Sequence, residues 1–306
     1  MKEETEAGLD VRGDTCVDDV PVHIRREETW APMLRMRLAP VGLMKAALVT
    51  GQVILWHLRG RRAEGGLRIL CYHRISSARD QLAVPPARFV RQLDTIEKSG
   101  LPVIDLTTAL AAEGATPADS LALTFDDGYA DFLDNALPEL QKRGWPATVF
   151  VVPGAIEGRV RFSWYRREQP RLISWSEMLD VERDGLVRFE PHTLSHAPLS
   201  ALSNEDAWHE IAGSKRAVAA ALGREPHLFC YPGGYYGERE MEMVERAGYV
   251  GAISGEHGVN EPPFHRFALR RIPVDRYDTA RVVSARLQGA TDRRPPGVRA
   301  RGPRMA

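Results

Sequence analysis

The sequence predicts an α/β fold: a distorted (β/α) barrel of seven to eight parallel strands, built as one domain with an N-terminal helical extension. Short runs rich in β-branched and aromatic residues alternate with amphipathic helical stretches. They recur at about 30 residues, the length of a strand–helix–strand crossover. The strand runs are apolar throughout, as strands covered on both faces are. Seven or eight such runs fit within the 306 residues, enough to close or nearly close a barrel, with an open doubly wound sheet as the alternative.

Residues 1–32 read as an acidic, disordered N-terminus, and residues 33–62 as a basic amphipathic or membrane-proximal helix. Within the latter, 38–58 is apolar but interrupted by Pro40, Gly42, Lys45, Gly51, Gln52 and His57, and it is flanked by Arg35, Arg37, Arg59, Arg61 and Arg62. A helix lying on a membrane or packed on the domain suits this pattern better than a spanning one. The globular domain is expected over 67–289. Its strands are expected at Leu67–Tyr72, Pro102–Ile104, Leu121–Phe125, Ala147–Val152, Leu186–Glu190, His227–Tyr231, Tyr249–Ser254 and Ala268–Val274. Helices are expected at Pro86–Lys98, Tyr129–Arg143, Ser176–Arg183, Asn204–Leu222, Glu238–Ala247 and Tyr277–Leu287, placed by apolar spacing and by Ser, Asn and Gly at their ends. Residues 154–173 read as a long loop, and 290–306 as a disordered basic tail.

Forty-one basic residues balance 41 acidic ones, so no bulk charge points to nucleic acid. Three cysteines, Cys16, Cys71 and Cys230, give no disulfide framework, and the last two lie in apolar runs as buried, inert thiols. The acidic start does not read as a signal peptide, and a cytoplasmic or membrane-associated protein is the expectation. Translation from Met33 would turn 38–58 into a signal anchor and place the domain outside the cytoplasm.

Four loops that follow strands carry chemically useful groups: His73, Asp126 with Asp127, His192 with His196, and Pro232-Gly233-Gly234. In a parallel barrel these strand ends share one face. Two histidines four apart suit one face of a helical turn and a shared ion, or they are a solvated loop pair. Asp126 and Asp127 repel one another unless a cation lies nearby; otherwise one of them merely caps the following helix. Two histidines with one carboxylate form a metal set that leaves positions open for water and substrate.

Thr124–Gly128 (TFDDG) and His192–His196 (HTLSH), in this order, resemble the motifs of the polysaccharide deacetylase family, carbohydrate esterase family 4. The resemblance covers about 67–289. It implies a metal-dependent hydrolase that removes N-acetyl groups from N-acetylhexosamine units of a polysaccharide or lipid-linked glycan. By position it implies Asp126 as the base and Asp127, His192 and His196 as ligands of a divalent ion, zinc first. The Gly233 N–H, in Tyr231-Pro232-Gly233-Gly234, would stabilise the oxyanion, with Pro232, Tyr231 and Tyr235 as substrate contacts.

The chain departs from the commoner pattern at Cys230, where many members place an arginine that pairs with the base. Arg270 or Arg271 is the candidate replacement. The late Leu-x-His acid is also missing, leaving His257 and His265 as late histidines. The stretch Leu67–Ile75 (LRILCYHRI) instead resembles the poly-N-acetylglucosamine branch, in which the histidine after the first strand is the acid; here that is His73. Gly258-Val259-Asn260 and the aromatics Trp164, Tyr165, Trp175, Tyr235 and Tyr236 are expected near the cleft. Hydrolysis of a small non-peptide amide, or a catalytically dead carbohydrate-binding homologue, are the alternative readings.

Overall fold

The computed structural model describes Gly51 and residues 65–111 and 119–289. The acidic N-terminus, the rest of the 33–62 segment, Cys16 and the basic tail lie outside the described residues. Among the described residues no helix is long and apolar enough to cross a membrane.

Seven strands form the barrel-shaped sheet: β1 (Gly66–Tyr72), β4 (Asp119–Phe125), β5 (Ala147–Val151), β6 (Val187–Pro191), β7 (Leu228–Cys230), β8 (Gly251–His257) and β9 (Leu269–Pro273). Their order is β6-β5-β4-β1-β9-β8-β7, and every ladder is parallel. Two short strands, β2 (Arg74–Ile75) and β3 (Ala83–Val84), pair separately after β1. The seven-strand expectation holds. The Pro102–Ile104 strand does not: it is reduced to a bridge from Val103 to Leu121, because Pro102 offers no N–H to a ladder.

β6 and β7 are the two ends of the sheet, and side chains stitch them together. The fully buried Glu190 carboxylate accepts from His227 N (2.7 Å) and Leu228 N (2.9 Å) at the start of β7. Arg224 bonds the same carboxylate at 3.2 Å and also holds Glu182 and the Phe189 carbonyl. Further along, His192 Nδ1 meets the Cys230 carbonyl at 2.7 Å. These bonds satisfy backbone groups that a continuing ladder would otherwise have taken.

Two apolar layers fix the sheet. Inside the barrel, Leu67, Ile69, Ala122, Phe150, Leu228 and Leu269 pack together. Between sheet and helices, Tyr72, Phe89, Phe125 and Phe132 form an aromatic knot with ring centroids 4.8–6.1 Å apart. Each such burial stabilises the fold by about 2–3 kcal/mol. Side chains alternate across a strand. Cys71 therefore shares the inner face of Ile69, Asp126 that of Ala122, and Arg271 that of Leu269.

The Asn204–Leu222 helix has its expected bounds, with Ser203 accepting from Asp206 N and Gly223 in left-handed conformation after it. The expected Tyr129–Arg143 helix is instead two, Asp131–Asn135 and Leu137–Arg143, broken at Ala136. Pro138 has no N–H to bond back into the first segment and belongs in the first turn of a new one. Tyr129 is drawn out of the helix by a bridge to Leu172. The Leu106–Ala111 helix has no counterpart in the sequence expectation, and Pro153–Ile156 adds a helical turn to the expected 154–173 loop. The last helix starts at Ala280 rather than Tyr277, because Thr279 accepts from Val282 N as its cap.

Candidate active site

The C-terminal ends of β1, β4, β6 and β7 deliver the predicted residues to one face. β4 ends at Phe125, and Asp126 N continues the ladder by donating to Tyr72 O at 2.9 Å. Asp127 then adopts a φ of 72°, a left-handed conformation that bends the chain out of the strand. Gly128 follows at 70°. The bend points the two carboxylates in different directions. Neither caps a helix, since the next one begins at Asp131 with no side-chain cap.

Asp127 faces the histidines. Its Oδ1 lies 3.5 Å from His196 Nε2 and 3.9 Å from His192 Nε2. That oxygen is buried and has no hydrogen-bond partner among the described residues. Burial pushes the Asp127 carboxyl well above the usual carboxylate range, and the Asp126 charge pushes it further, against an opposing bond from the Tyr129 hydroxyl. Burial lowers His192 to about 4 and His196 well below its ordinary value. Both imidazoles are therefore neutral and able to donate a lone pair. Ligand atoms bound at about 2.0–2.1 Å to a tetrahedral ion lie about 3.4 Å apart. The observed spacings and the orphaned oxygen thus fit one divalent ion, with Asp127, His192 and His196 contributing one atom each.

The two histidines are not on a helical turn, contrary to expectation. Thr193 and His196 both have positive φ, 62° and 60°, and the segment is a loop. Their rings meet edge-to-face at 4.8 Å. The Cys230 carbonyl holds His192 Nδ1 and so leaves Nε2 for the ion. Phe162 and Trp164 abut His196 edge-on, with centroids 5.6 Å and 5.0 Å away.

Sequence reasoning missed what secures this loop. Glu210, buried on the Asn204–Leu222 helix, accepts from Ser195 N (2.9 Å) and Ser195 Oγ (2.5 Å). Leu194 seats against Gly213 and Gly154: a Cβ on Gly213 would lie 2.5 Å from Leu194 Cδ1, and one on Gly154 2.7 Å from the Leu194 carbonyl oxygen. An acidic residue on the apolar side of a helix was the available signal.

Asp126 faces inward. Arg271 Nη1 reaches Oδ1 at 2.8 Å and Oδ2 at 2.7 Å, and Arg271 Nε is tied to Ser254 O at 2.9 Å. Of the two expected candidates Arg271 is thus the partner, while Arg270 is partly exposed and lies 3.5 Å from Glu256. Burial by itself raises Asp126, but the Arg271 guanidinium holds its carboxyl well below the usual range. The base is ionised. His73 follows β1, and one of its ring nitrogens lies within 4.8 Å of an Asp126 oxygen. Burial lowers its pKa.

Pro232-Gly233-Gly234 forms a tight turn after β7 with Gly233 at φ 61°. The turn is closed by Gly234 N to Tyr231 O and Tyr235 N to Pro232 O, which leaves the Gly233 N–H out of its own bonds. A Cβ on Gly234 would stand 2.2 Å from Gly255 Cα, so the turn rests directly on the β8 backbone. Pro232 is buried at this turn and Tyr235 is half-buried beside it.

Three expected cleft residues belong elsewhere. Tyr231 is fully buried: its hydroxyl donates to Phe267 O and its ring stacks on Tyr236 at 5.0 Å, so it is a core residue. Trp175 packs on the outer core. Asn260 lies at the start of β1, bonded to Leu67 and Arg270, remote from the strand ends that hold Asp126. Trp164 remains at the site, its Nε1 donating to Tyr129 Oη at 3.3 Å.

Comparison with known proteins agrees with this geometry. The family model for polysaccharide deacetylases matches residues 113–252. The Bacillus subtilis protein YxkH, a polysaccharide deacetylase by assignment, is 28% identical over 211 residues, 68% of this chain and 71% of its own. A poly-β-1,6-N-acetyl-D-glucosamine N-deacetylase of Staphylococcus aureus is 24% identical over 170 residues, 53% of this chain and 57% of that relative's length. Among solved structures, IcaB from Ammonifex degensii superposes with a TM-score of 0.64 at 26% identity, covering 74% of this chain and 99% of that one. The Streptococcus pyogenes deacetylase PplD, in complex with acetate, shares the fold with a TM-score of 0.62 at 22% identity, covering 72% of this chain and 97% of that one.

Proposed function

We propose, for a chain that belongs with the polysaccharide deacetylases in motif order, barrel and family match, that it is a metal-dependent hydrolase releasing acetate from N-acetylglucosamine units of a polysaccharide. The observation that carries the proposal is the division of labour within one dipeptide. Asp127 presents an orphaned buried oxygen to two neutral imidazoles, while Asp126 is an ionised carboxylate held by Arg271. Likeness to the staphylococcal poly-β-1,6-N-acetyl-D-glucosamine N-deacetylase favours a β-1,6-linked N-acetylglucosamine polymer as substrate.

When bound by Asp127, His192 and His196, a divalent ion supplies Lewis acidity, polarising the acyl oxygen and acidifying water. The chain's own groups do the rest. Asp126 accepts the proton of the attacking water. The Gly233 N–H donates to the developing oxyanion. His73 gives a proton to the departing amine, which would otherwise leave as a very poor anion. Trp164 and Tyr235 flank the site with rings suited to the apolar faces of a sugar.

The test is acetate release from β-1,6-linked N-acetylglucosamine oligomers, chitin oligomers and a simple acetamide, with the protein loaded with zinc or cobalt. Asp126→Asn is expected to keep the metal and lose turnover, Asp127→Ala to lose both, and His73→Gln to keep the metal with turnover severely reduced. Near-normal turnover in Asp126→Asn would overturn the assignment of the base. Absence of stoichiometric metal after loading would overturn the whole reading.

A further inference from the structure

The carboxylate of Asp126 is asymmetrically held. Arg271 Nη1 touches both oxygens, at 2.8 Å and 2.7 Å. The two thiols of the barrel interior favour one oxygen only. Cys71 Sγ lies 3.6 Å from Oδ2 and Cys230 Sγ 3.8 Å from the same Oδ2. Each thiol has a second acceptor within reach, and in both cases it is farther: Tyr72 O at 3.8 Å for Cys71 and Tyr231 O at 4.0 Å for Cys230. Both residues are buried, at 3% and 0% exposure.

The sheet fixes this convergence. Cys71 lies opposite Thr124 of β4 and Pro273 of β9, and Cys230 opposite Ile253 of β8. The Cys230 carbonyl is itself tied to His192. Each thiol is buried against the Asp126 carboxylate, an acceptor, so both are S–H donors and not thiolates. A thiol is a weak donor. It occupies an acceptor site without withdrawing much basicity from the carboxylate, unlike an additional N–H from a cation.

We infer that Cys71 and Cys230 are positioning residues: their S–H groups cap Asp126 Oδ2 and so reserve Oδ1 as the oxygen that takes the proton of the attacking water. In that step the water oxygen bonds to the acyl carbon as the carbonyl π pair moves onto the acyl oxygen, the water O–H bond breaks, and the Oδ1–H bond forms. The Oδ1 assignment rests on the deacetylase reading; the thiol contacts do not. Replacement of the family's arginine at position 230 thus exchanges a strong donor to the base for a weak one, with the charge supplied from β9 by Arg271.

The test separates the two claims. In a Cys16→Ser background the protein has two thiols, and their S–H stretching bands report hydrogen bonding without reference to activity. Both bands are expected at lower frequency in the native protein than in Asp126→Leu, with a smaller displacement in Asp126→Asn. Zinc binding through Asp127, His192 and His196 checks that each variant is folded. Bands that do not move in either variant overturn the clamp, whatever the enzyme's substrate. The second arm is kinetic. Cys71→Ala/Cys230→Ala is expected to lower kcat by about tenfold or more with KM and bound metal unchanged, and Cys71→Ser/Cys230→Ser to restore most of it. A wild-type kcat in the double alanine variant overturns the positioning role. Shifted bands in a protein that releases no acetate would uphold the clamp and reject the deacetylase reading.

Discussion

Replacing Arg271 by methionine tests the electrostatics on which the site depends. Arg271 is the guanidinium against Asp126, with both partners buried: their side chains are 8% and 3% exposed. Two charge-assisted bonds at 2.7–2.8 Å are lost, and so is the bond to Ser254 O. Methionine fills much of the volume, so the main effect is an unpaired buried carboxylate. Breaking a buried pair on one side costs about 3–5 kcal/mol. For a domain of this size that is a fall in Tm of roughly 10 °C. Urea unfolding of the metal-free protein at neutral pH measures it. Asp126→Asn should also destabilise, by leaving the guanidinium unpaired, and the double variant should recover much of the loss, giving a large coupling energy in the cycle. A loss below about 1 kcal/mol in Arg271→Met, or additive behaviour in the cycle, would refute the buried pair. The same variant should lose activity, because burial without Arg271 favours the protonated base.

Three further outcomes follow from the geometry. Glu210→Ala removes both bonds to Ser195, and a chelator competition should show zinc affinity reduced about 10–100-fold, with helical circular dichroism unchanged. For the metal-free protein, His192 with its pKa near 4 takes up a proton later than the unfolded chain does at about 6.5. Over that window the unfolded state binds more protons, so stability should fall as pH drops from about 6.5 towards 4, by a few kcal/mol in urea titrations, and less in His192→Gln. Gly234→Ala should destabilise by more than about 1 kcal/mol in the same assay, since its Cβ meets Gly255 backbone at 2.2 Å and its φ is 73°.

Much of the barrel was legible because strand and helix punctuation is local. Ser203 and Gly223 bracket their helix, and the runs ALTF and TVFV have no helical period. The break at Ala136 was also signalled, by Pro138, but amphipathic spacing across 129–143 hid it. The site's residues were legible through two motifs, whereas its geometry was not. HTLSH was expected to be helical because four-residue spacing suits a helix. The observed loop reaches the same proximity through two positive-φ residues, a strain that spacing does not reveal. Glu210 was marked only by its place on the apolar side of its helix, and its partner Ser195, 15 residues away, was not legible.

The choice between Arg270 and Arg271 shows where pattern stops and fold begins. Alternation puts Arg271 on the face of Leu269 and Arg270 on that of Ile272. Both leucine and isoleucine are fully buried, because a barrel strand is covered by core on one side and by helices on the other. An apolar run therefore carries no mark of which face is inside. The mark comes from closure. Leu269 packs with Ile69, Ala122 and Cys230, which makes its face the lumen and brings Arg271 up beneath Asp126. β4 and β9 both flank β1, so an arginine on β9 can serve a base on β4 when β7 offers only Cys230. Every strand contributes to one lumen layer, so the charge that neutralises the base can enter from any strand whose inward position lies at that height. The carboxylate requires a cation at hydrogen-bonding distance, and the barrel leaves open which strand provides it.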